Sequence, residues 1–150
     1  MTKKEKFILR SAKVSDSKLL FNWVNEKEVR NNSLNSEIVK WDIHIDWFCK
    51  KMESVKCEIF ILENNKVSVG QVRIEEDETG FWLIDYSIDS AFRGKGYGYV
   101  MIEQLINKIP KCKFKAVVKT KNIASRRVFE KLNFALKKIN KVIEYTLVSK

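Results

Sequence analysis

The segment from Arg93 to Tyr99, with the sequence RGKGYGY, is the part of the chain best suited to binding an anion. It holds three of the five glycines, Gly94, Gly96 and Gly98, and it lies between a predicted strand and a predicted helix. Glycine lets backbone amides approach a ligand closely, and the first turn of a helix offers unpaired N–H groups at the positive end of its dipole. The segment therefore predicts a phosphate-binding loop.

The spacing of the glycines differs from that of two well-known phosphate loops. No Ser or Thr follows Lys95, as a G-x-x-x-x-G-K-[ST] loop requires, and the glycines do not follow the G-x-G-x-x-G pattern of dinucleotide-binding proteins. The alternative is a flexible turn whose glycines only let the chain change direction.

Two motifs together resemble those of the GNAT superfamily of acetyl-coenzyme A dependent N-acetyltransferases. The pattern Arg93-x-x-Gly96-x-Gly98 resembles the pyrophosphate-binding signature of that superfamily. The stretch NIASRRVFEKLNF, residues 122 to 134, is similar to its N-x-x-[AS]-x-x-x-[YF]-E-K-x-G-F helix, and the two motifs have the usual separation. The resemblance implies an enzyme with the GNAT fold and with acetyl-CoA as its cofactor.

The resemblance also implies which residues bind the coenzyme. The amides of the glycine loop would cradle the pyrophosphate, and Arg93 and Lys95 would add positive charge. The preceding strand would splay from the strand FKAVVK, and its free backbone groups would bond the pantetheine arm like an added strand. Arg126 or Arg127 would lie beside the arm, unless both belong to a solvated helix face. The implied coenzyme-binding residues are Tyr86, Ser87, Ile88, Arg93, Gly94, Lys95, Gly96, Tyr97, Gly98, Tyr99, Asn122, Ser125 and Arg126.

Acetyl transfer from a thioester to an amine requires a base that takes a proton from the amine and a donor for the developing oxyanion. The single histidine, His44, suits the base because its ordinary pKa is about 6.5, although a lone histidine on an aromatic helix face is also a common core residue. Asp85 and Glu75 are rival bases. Strand alternation predicts that Asp85 is buried with a perturbed pKa.

The group that protonates the departing thiolate is left open by the sequence. Phe129 stands where many members of the superfamily have a tyrosine, and a phenylalanine cannot donate a proton. Tyr86, Tyr97, Ser125 or water are alternative donors. Unassisted departure is also compatible with a thiol whose pKa is about 8.5.

A second, narrower resemblance lies in the N-terminal half, in NWVNEKEVRNNSLNSEIVKWDIHIDWF. It resembles the W-x-N-x-x-x-V-R-x-x-S…H-x-x-W-F segment of nucleotide-sugar N-acetyltransferases, especially those acting on a UDP-linked 4-amino-4,6-dideoxy hexose in pseudaminic acid biosynthesis. The resemblance implies an acceptor wall with Arg30 near a phosphate and aromatic rings against sugar or uracil. The alternative is that Trp23, Trp47 and Phe48 are core residues. The implied acceptor-binding residues are Trp23, Asn25, Arg30, Ser33, His44 and Trp47.

The elements that must position these residues fit a single α/β (α+β) domain over residues 1–150. Hydrophobic periodicity predicts the order βαα-βββ-αβ-αββ, with a first helix near residues 15–30 and a second around Trp41 to Met52. A three-stranded antiparallel meander follows, and Pro110 stops the helix after the glycine loop. The resemblance implies a mixed sheet of about seven strands flanked by about four helices, with strands 4 and 5 splayed.

The formal charge of +10 favours a polyanionic ligand, which includes a phosphorylated cofactor, a nucleotide-linked substrate or nucleic acid, unless it reflects only a Lys-rich composition. A phosphorylated cofactor and a nucleotide-linked substrate would explain the positive charge without nucleic acid. The same positive charge disfavours polyamine acceptors. The rival enzyme hypothesis is acetylation of a protein α-amine or a ribosomal protein. The non-enzyme hypothesis is a basic nucleic-acid-binding module, which predicts strong salt dependence and no effect of acetyl-CoA.

Three cysteines, Cys49, Cys57 and Cys112, are an odd and widely spaced set beside a single histidine, so we expect buried free thiols and no metal site. The N-terminal residues lack the apolar region of a signal peptide, and no apolar run is long enough to span a membrane. We therefore expect a cytoplasmic protein, monomeric or homodimeric, without a membrane partner.

Overall fold

The computed structural model describes residues 4–150 and contains a seven-stranded mixed sheet in the order β1-β2-β3-β4-β5-β7-β6. The strands are β1 Phe7–Ser11, β2 Cys57–Asn64, β3 Val67–Glu76, β4 Trp82–Ile88, β5 Lys113–Lys119, β6 Ala135–Ile139 and β7 Val142–Val148. The helices are α1 Ser17–Val24, α2 Lys27–Asn32, α3 Trp41–Glu53, α4 Tyr97–Lys108 and α5 Ile123–Lys131. The predicted mixed sheet of seven strands is thus confirmed.

The described residues form five α-helices instead of about four, because the first predicted helix is divided in two. The chain leaves helical geometry at Asn25 and is extended at Glu26, where φ is −61° and ψ is 140°. The Asn25 side chain holds the chain at this point: it donates to the Val39 carbonyl and accepts from the Val39 amide, both at 2.8 Å. A side chain fixed to a later segment overrides the helical pattern here.

Strands β4 and β5 diverge after a short parallel contact. They pair only at Trp82–Phe114 and Leu83–Lys115, whereas β4 pairs with β3 along its full length from Trp82 to Ile88. From residue 84 to residue 88, the edge of β4 that faces β5 therefore has no strand partner among the described residues. The predicted splay of strands 4 and 5 is confirmed.

The two faces of the sheet carry separate hydrophobic cores. The larger core lies under α4 and α5 and includes Met101, Leu105 and Phe129. The smaller core lies under α1 and α3 and includes Trp23 and Phe48. Because side chains alternate along β4, it contributes to two different environments, one on each side of the sheet.

The cysteines divide between core and surface. Cys57 and Cys112 are buried, and burial raises the pKa of both thiols. Cys49 is exposed on α3, so the expectation that all three thiols are buried is wrong for this residue.

Within residues 4–150, no helix has both the length and the apolar character needed to cross a membrane.

Candidate active site

The three glycines of the loop before α4 serve two different purposes. Gly94 and Gly96 have φ angles of +77° and +80°, and a Cβ at either position would meet no atom within 4 Å. Gly98 lacks a positive φ, and a Cβ there would lie 3.3 Å from Cε2 of Tyr86. The first two glycines thus give the loop its left-handed turns, and the third allows α4 to pack closely on β4.

The main-chain amides at the start of α4 are free to bind an anion. Gly96 is the N-cap, and the first helical hydrogen bond runs from the Val100 N–H to the Gly96 carbonyl at 3.3 Å. Within residues 4–150, no amide from Gly96 to Tyr99 donates a hydrogen bond to a protein acceptor. These amides share the positive end of the helix dipole, which fits the diphosphate of a coenzyme.

The two cations of the loop have different surroundings. The guanidinium of Arg93 pairs with Glu26, the N-cap of α2, at 2.5 Å and with Glu28, in the first turn of α2, at 2.7 Å. Lys95 is exposed. The predicted charge contribution to a phosphate is therefore available from Lys95, whereas Arg93 already holds two carboxylates.

The tyrosine side chains of the loop are bonded within the protein. Tyr97 is buried, and its hydroxyl donates to Glu5 at 3.1 Å and accepts from Asn64 at 3.2 Å. Tyr99 donates to Glu103, one helical turn later, at 3.1 Å. Both residues can therefore offer a ligand their amide groups, and Tyr97 belongs to the core.

Tyr86 lies on the face of β4 that packs against α4 and α5. Its hydroxyl is 2.9 Å from the Ser125 hydroxyl, and its ring meets the Phe129 ring edge-on with 5.9 Å between centroids. Burial raises the pKa of Tyr86 to about 12. A phenol with this pKa is a much weaker acid than a thiol with a pKa of about 8.5, so protonation of a thiolate by Tyr86 is unfavourable.

The polar residues at the start of α5 mainly hold the turn between β5 and α5. Asn122 is the N-cap, and its side chain accepts from the Ser125 amide at 3.3 Å. Arg126 donates to the Thr120 carbonyl at 2.9 Å, while Arg127 is exposed. This part of the resemblance motif therefore has a clear structural use.

A cavity of about 340 Å³ lies on the face of the sheet that is covered by α1 and α3, opposite to α4 and α5. Its walls come from α1, α2, α3 and residues 33–39, and its floor comes from β2, β3 and β4. It includes Asp85 and Ser87, which lie in the part of β4 that has diverged from β5. Among the residues expected at the acceptor, it brings together Trp23, Arg30, Ser33, His44 and Trp47.

His44 lines this cavity with only 3% of its surface exposed. Its Nε2 lies 3.0 Å from the Ser17 carbonyl, and because a carbonyl only accepts, Nε2 must carry the hydrogen. The lone pair of the neutral ring is then on Nδ1, which has no protein hydrogen-bond partner within residues 4–150. Burial lowers the pKa of His44 below 6.5, so the ring is neutral at pH 7 and can accept a proton.

The prediction that Asp85 is buried is wrong. Its side chain is 61% exposed at the edge of the cavity and accepts from Arg73 at 3.1 Å. Alternation places Asp85 on the predicted face, but at this position that face borders the cavity instead of the smaller core. Glu75 forms an ion pair with Lys51 and does not line the cavity.

Arg30 and Asn25 hold residues 33–39, which form one wall of the cavity. Arg30 makes four hydrogen bonds, which reach the carbonyls of Val24, Asn35 and Glu37 and the Ser33 hydroxyl at 2.7–3.1 Å. Asn25 does not line the cavity and is held by its two bonds to Val39. Both side chains fix the course of residues 33–39.

Trp23 is mainly a core residue. It is 2% exposed, and its indole N–H donates to Asp89 at 2.7 Å, so only part of its ring borders the cavity. The alternative reading of this residue as core therefore describes its surroundings well.

Sequence reasoning missed Arg73, which lines the cavity from β3. Its guanidinium carbon lies 4.9 Å from the centre of the Trp47 ring, and its one hydrogen bond within residues 4–150 goes to Asp85. Alternation on β3 places Arg73 on the same face as Glu75, so the signal was present in the pattern that selected Glu75.

Comparison with known proteins agrees with this geometry. The sequence profile of the acetyltransferase (GNAT) domain matches residues 6–135. The fold is similar to that of spermidine N-acetyltransferase from Vibrio cholerae, solved with CoA and spermine, with a TM-score of 0.83, 16% identity and 95% of each chain covered. It is also similar to yncA from Salmonella typhimurium, solved with acetyl-CoA (TM-score 0.77, 17% identity, 95% and 93% covered).

A third similar structure is RimL, the ribosomal L7/L12 alpha-N-protein acetyltransferase in complex with coenzyme A. Its TM-score is 0.80, with 16% identity and 95% and 94% of the two chains covered. At these identities the structures show the fold alone, and no curated protein matches the chain significantly. The profile match over most of the chain shows that it belongs to the GNAT family of acetyltransferases, which use acetyl-CoA as the acetyl donor.

Proposed function

We propose that the protein transfers an acetyl group from acetyl-CoA to the amine of a nucleotide-linked amino sugar bound in the cavity beside β4. The observation that carries the proposal is the position of this cavity. Its floor includes Asp85 and Ser87, in the part of β4 that is not paired with β5, and it is lined by a neutral histidine and by an arginine with free donors. A base and an anion-binding group thus lie beside the opening where the acetyl donor would bind.

The coenzyme would be held mainly by main-chain groups. The free amides from Gly96 to Tyr99 match a diphosphate, and the unpaired edge of β4 from residue 84 to residue 88 matches the amide groups of a pantetheine arm. Lys95 adds charge near the phosphates. Bound acetyl-CoA supplies the acetyl thioester, and an N–H of the unpaired β4 edge can donate to its carbonyl oxygen.

His44 would act as the base. Its Nδ1 takes a proton from the ammonium group of the acceptor, which makes the amine nucleophilic. The Ser17 carbonyl accepts from Nε2–H, so it fixes the ring and favours the protonated form once the proton has been taken up. Asp85 is the competing candidate, since it lines the same cavity, although its carboxylate already accepts from Arg73.

The charges of the cavity support an anionic acceptor. Among the described residues that line it, Asp85 is the one carboxylate, and Arg30 and Arg73 are the cations. Arg73 pairs with Asp85 at 3.1 Å and lies 4.0 Å from Glu75. One of its five N–H donors makes a hydrogen bond within residues 4–150, so the others can bind a phosphate, and Trp47 beneath it offers an aromatic surface. A polyamine would find a single carboxylate here, although the Vibrio relative is named for spermidine.

Turnover of a panel of amines tests the proposal. The panel contains UDP-linked amino sugars, the same sugars without the nucleotide, peptides with a free α-amine, spermidine and aminoglycosides, with release of the CoA thiol as the readout. We expect the highest kcat/KM for a UDP-linked sugar and a roughly 10- to 100-fold lower value without its diphosphate, because bonds between charged groups contribute about 1.5–3 kcal/mol. A higher kcat/KM for peptides or spermidine would refute the proposed acceptor.

Replacing Arg73 with methionine is expected to raise the KM of the nucleotide-linked acceptor roughly 10- to 100-fold, because the charged hydrogen bonds are lost while the aliphatic stem over Trp47 is kept. The Kd of CoA, measured by calorimetry, should stay unchanged. Lys138→Met, which removes one positive charge from the exposed strand β6, is the matched control. An equal KM in the two variants would exclude Arg73 from acceptor binding.

A further inference from the structure

The segment from Asp89 to Tyr99, called the coenzyme loop below, is tied by three side-chain bonds to residues 23–28, the α1–α2 corner. Arg93 Nη2 binds Glu26 at 2.5 Å, and Arg93 Nη1 binds Glu28 at 2.7 Å. At the other end of the loop, Asp89 accepts from the indole N–H of Trp23 at 2.7 Å. Each bond joins residues 65–67 positions apart in the sequence. The loop and the corner therefore hold each other in place.

The same corner forms a wall of the acceptor cavity. Trp23 and Val24 of α1 and Val29 and Arg30 of α2 line it. Helix α2 has six residues, none of them fully buried, so its length and its packing contribute little to its stability. Its position depends on side-chain bonds along its length. Arg30 donates to the carbonyls of Val24, Asn35 and Glu37. Arg93 pairs at the start of the helix, and Lys119 donates to the Asn31 carbonyl at 3.0 Å at its end.

Arg93 is poorly placed to bind the coenzyme through its side chain. Two carboxylates already neutralise the guanidinium, and its side chain is 28% exposed. If the guanidinium moved to a phosphate, Glu26 and Glu28 would be left uncompensated close to another anion, which costs electrostatic energy. The free amides of the loop bear no such cost.

We propose that Arg93 is a positioning residue for acceptor binding. Its guanidinium clamps the α1–α2 corner to the coenzyme loop and so fixes the cavity wall, while the diphosphate is bound by main-chain amides. The role of the cavity as acceptor site rests on the function proposed above, but the clamp itself rests only on the contacts of Arg93.

The test compares Arg93→Met with the double variant Glu26→Gln/Glu28→Gln. Hydrogen exchange of residues 23–32 in the free protein is expected to be faster in both. The KM of the best acceptor from the panel should rise roughly fivefold or more in both. Combining all three substitutions should add little, because one interaction is removed from either side.

Coenzyme affinity separates the clamp from a phosphate ligand. Lys95→Met, which removes the neighbouring exposed charge, measures how far the loss of one positive charge alone raises the Kd of CoA. We expect the CoA Kd of Arg93→Met to rise no more than that of Lys95→Met. The proposal would be overturned if the CoA Kd of Arg93→Met were ten or more times that of Lys95→Met. It would also be overturned if the three substitutions had additive effects on hydrogen exchange.

Two further results keep the two proposals distinguishable. Arg93→Lys, which can pair with one glutamate, should restore part of the hydrogen-exchange protection, and no restoration would count against the clamp. Hydrogen exchange and CoA binding require no acceptor, so they decide the role of Arg93 even if nucleotide sugars prove not to be substrates. Unchanged exchange of residues 23–32 in Arg93→Met would overturn the clamp whatever the acceptor is.

Discussion

Replacing His44 with glutamine is expected to lower kcat by about 10²- to 10⁴-fold, the usual contribution of a general base, while the Kd of acetyl-CoA stays close to its wild-type value. Glutamine is chosen because its side-chain N–H₂ can still donate to the Ser17 carbonyl, as Nε2 does in the histidine. It carries no basic lone pair in place of Nδ1. Steady-state thiol release and calorimetry measure the two quantities.

A purely structural role for His44 makes a different prediction. The ring packs between Phe21, Trp41, Trp47 and Phe48 and is almost fully buried, so any substitution disturbs the smaller core. Phe48→Leu perturbs the same core without removing a base, because Phe48 is fully buried and does not line the cavity. If Phe48→Leu and His44→Gln lower kcat equally, His44 acts only through packing.

The pH dependence of kcat gives an independent check on His44. Burial lowers its pKa below the ordinary 6.5, and the base acts in its neutral form. The kcat should therefore persist as pH falls to 6.5 and decline only as pH passes through the lowered pKa. An acid limb that is equally strong in His44→Gln would assign the titration to another group.

The stability of the fold should follow the same titration. Below pH 6.5 the unfolded chain takes up a proton on His44 more readily than the folded chain does. The free energy of unfolding should therefore rise with pH up to about 6.5 and then lose this dependence. Urea unfolding of the wild type and of His44→Gln between pH 5 and pH 7 measures the difference.

The arrangement of strands and helices could be predicted because it depends on backbone and apolar pattern. The glycines at 94 and 96 have left-handed φ angles, which glycine adopts more readily than any other residue, so their presence in the sequence already indicated a loop here. The divergence of β4 from β5 was implied by the resemblance to the GNAT superfamily, which rests partly on those glycines. The strand pairing confirms it, since β4 and β5 pair at only two positions. Helix α2 was missed because Asn25 bonds to Val39, a contact between segments that no local pattern encodes.

The partners of long charged side chains could not be predicted from sequence. Alternation correctly assigned Asp85 to a face of β4, but whether a helix covers that face depends on the whole fold. Arg30 and Arg93 were expected at phosphates, and they bind carbonyls and carboxylates instead, because a flexible side chain can reach several partners at similar distance. The contacts of these side chains therefore depend on the whole fold and not on local sequence pattern.

Replacing Gly96 with leucine is expected to raise the Kd of acetyl-CoA at least 100-fold, because the amides from Gly96 to Tyr99 lose their common orientation. Gly96 has a φ of +80°, and a leucine there either keeps this angle at a cost of about 1–2 kcal/mol or turns the backbone to a negative φ. The side chain also projects into the open space where the ligand would approach. Losing two charged hydrogen bonds corresponds to about 3–6 kcal/mol.

Thermal unfolding with and without acetyl-CoA measures this effect. At 100 times its Kd the ligand should stabilise the wild type by ~2.7 kcal/mol, or about 5–10 °C in Tm, and Gly96→Leu at the same concentration by almost nothing. Gly80→Leu is the matched control: Gly80 has a φ of +84° and equally open surroundings, but it lies in the turn between β3 and β4. Both variants should lose similar stability without ligand, so a ligand shift lost only in Gly96→Leu assigns the diphosphate to this loop. A full shift in Gly96→Leu would show that the coenzyme does not bind at the start of α4, because the substitution disturbs the amides proposed to hold it.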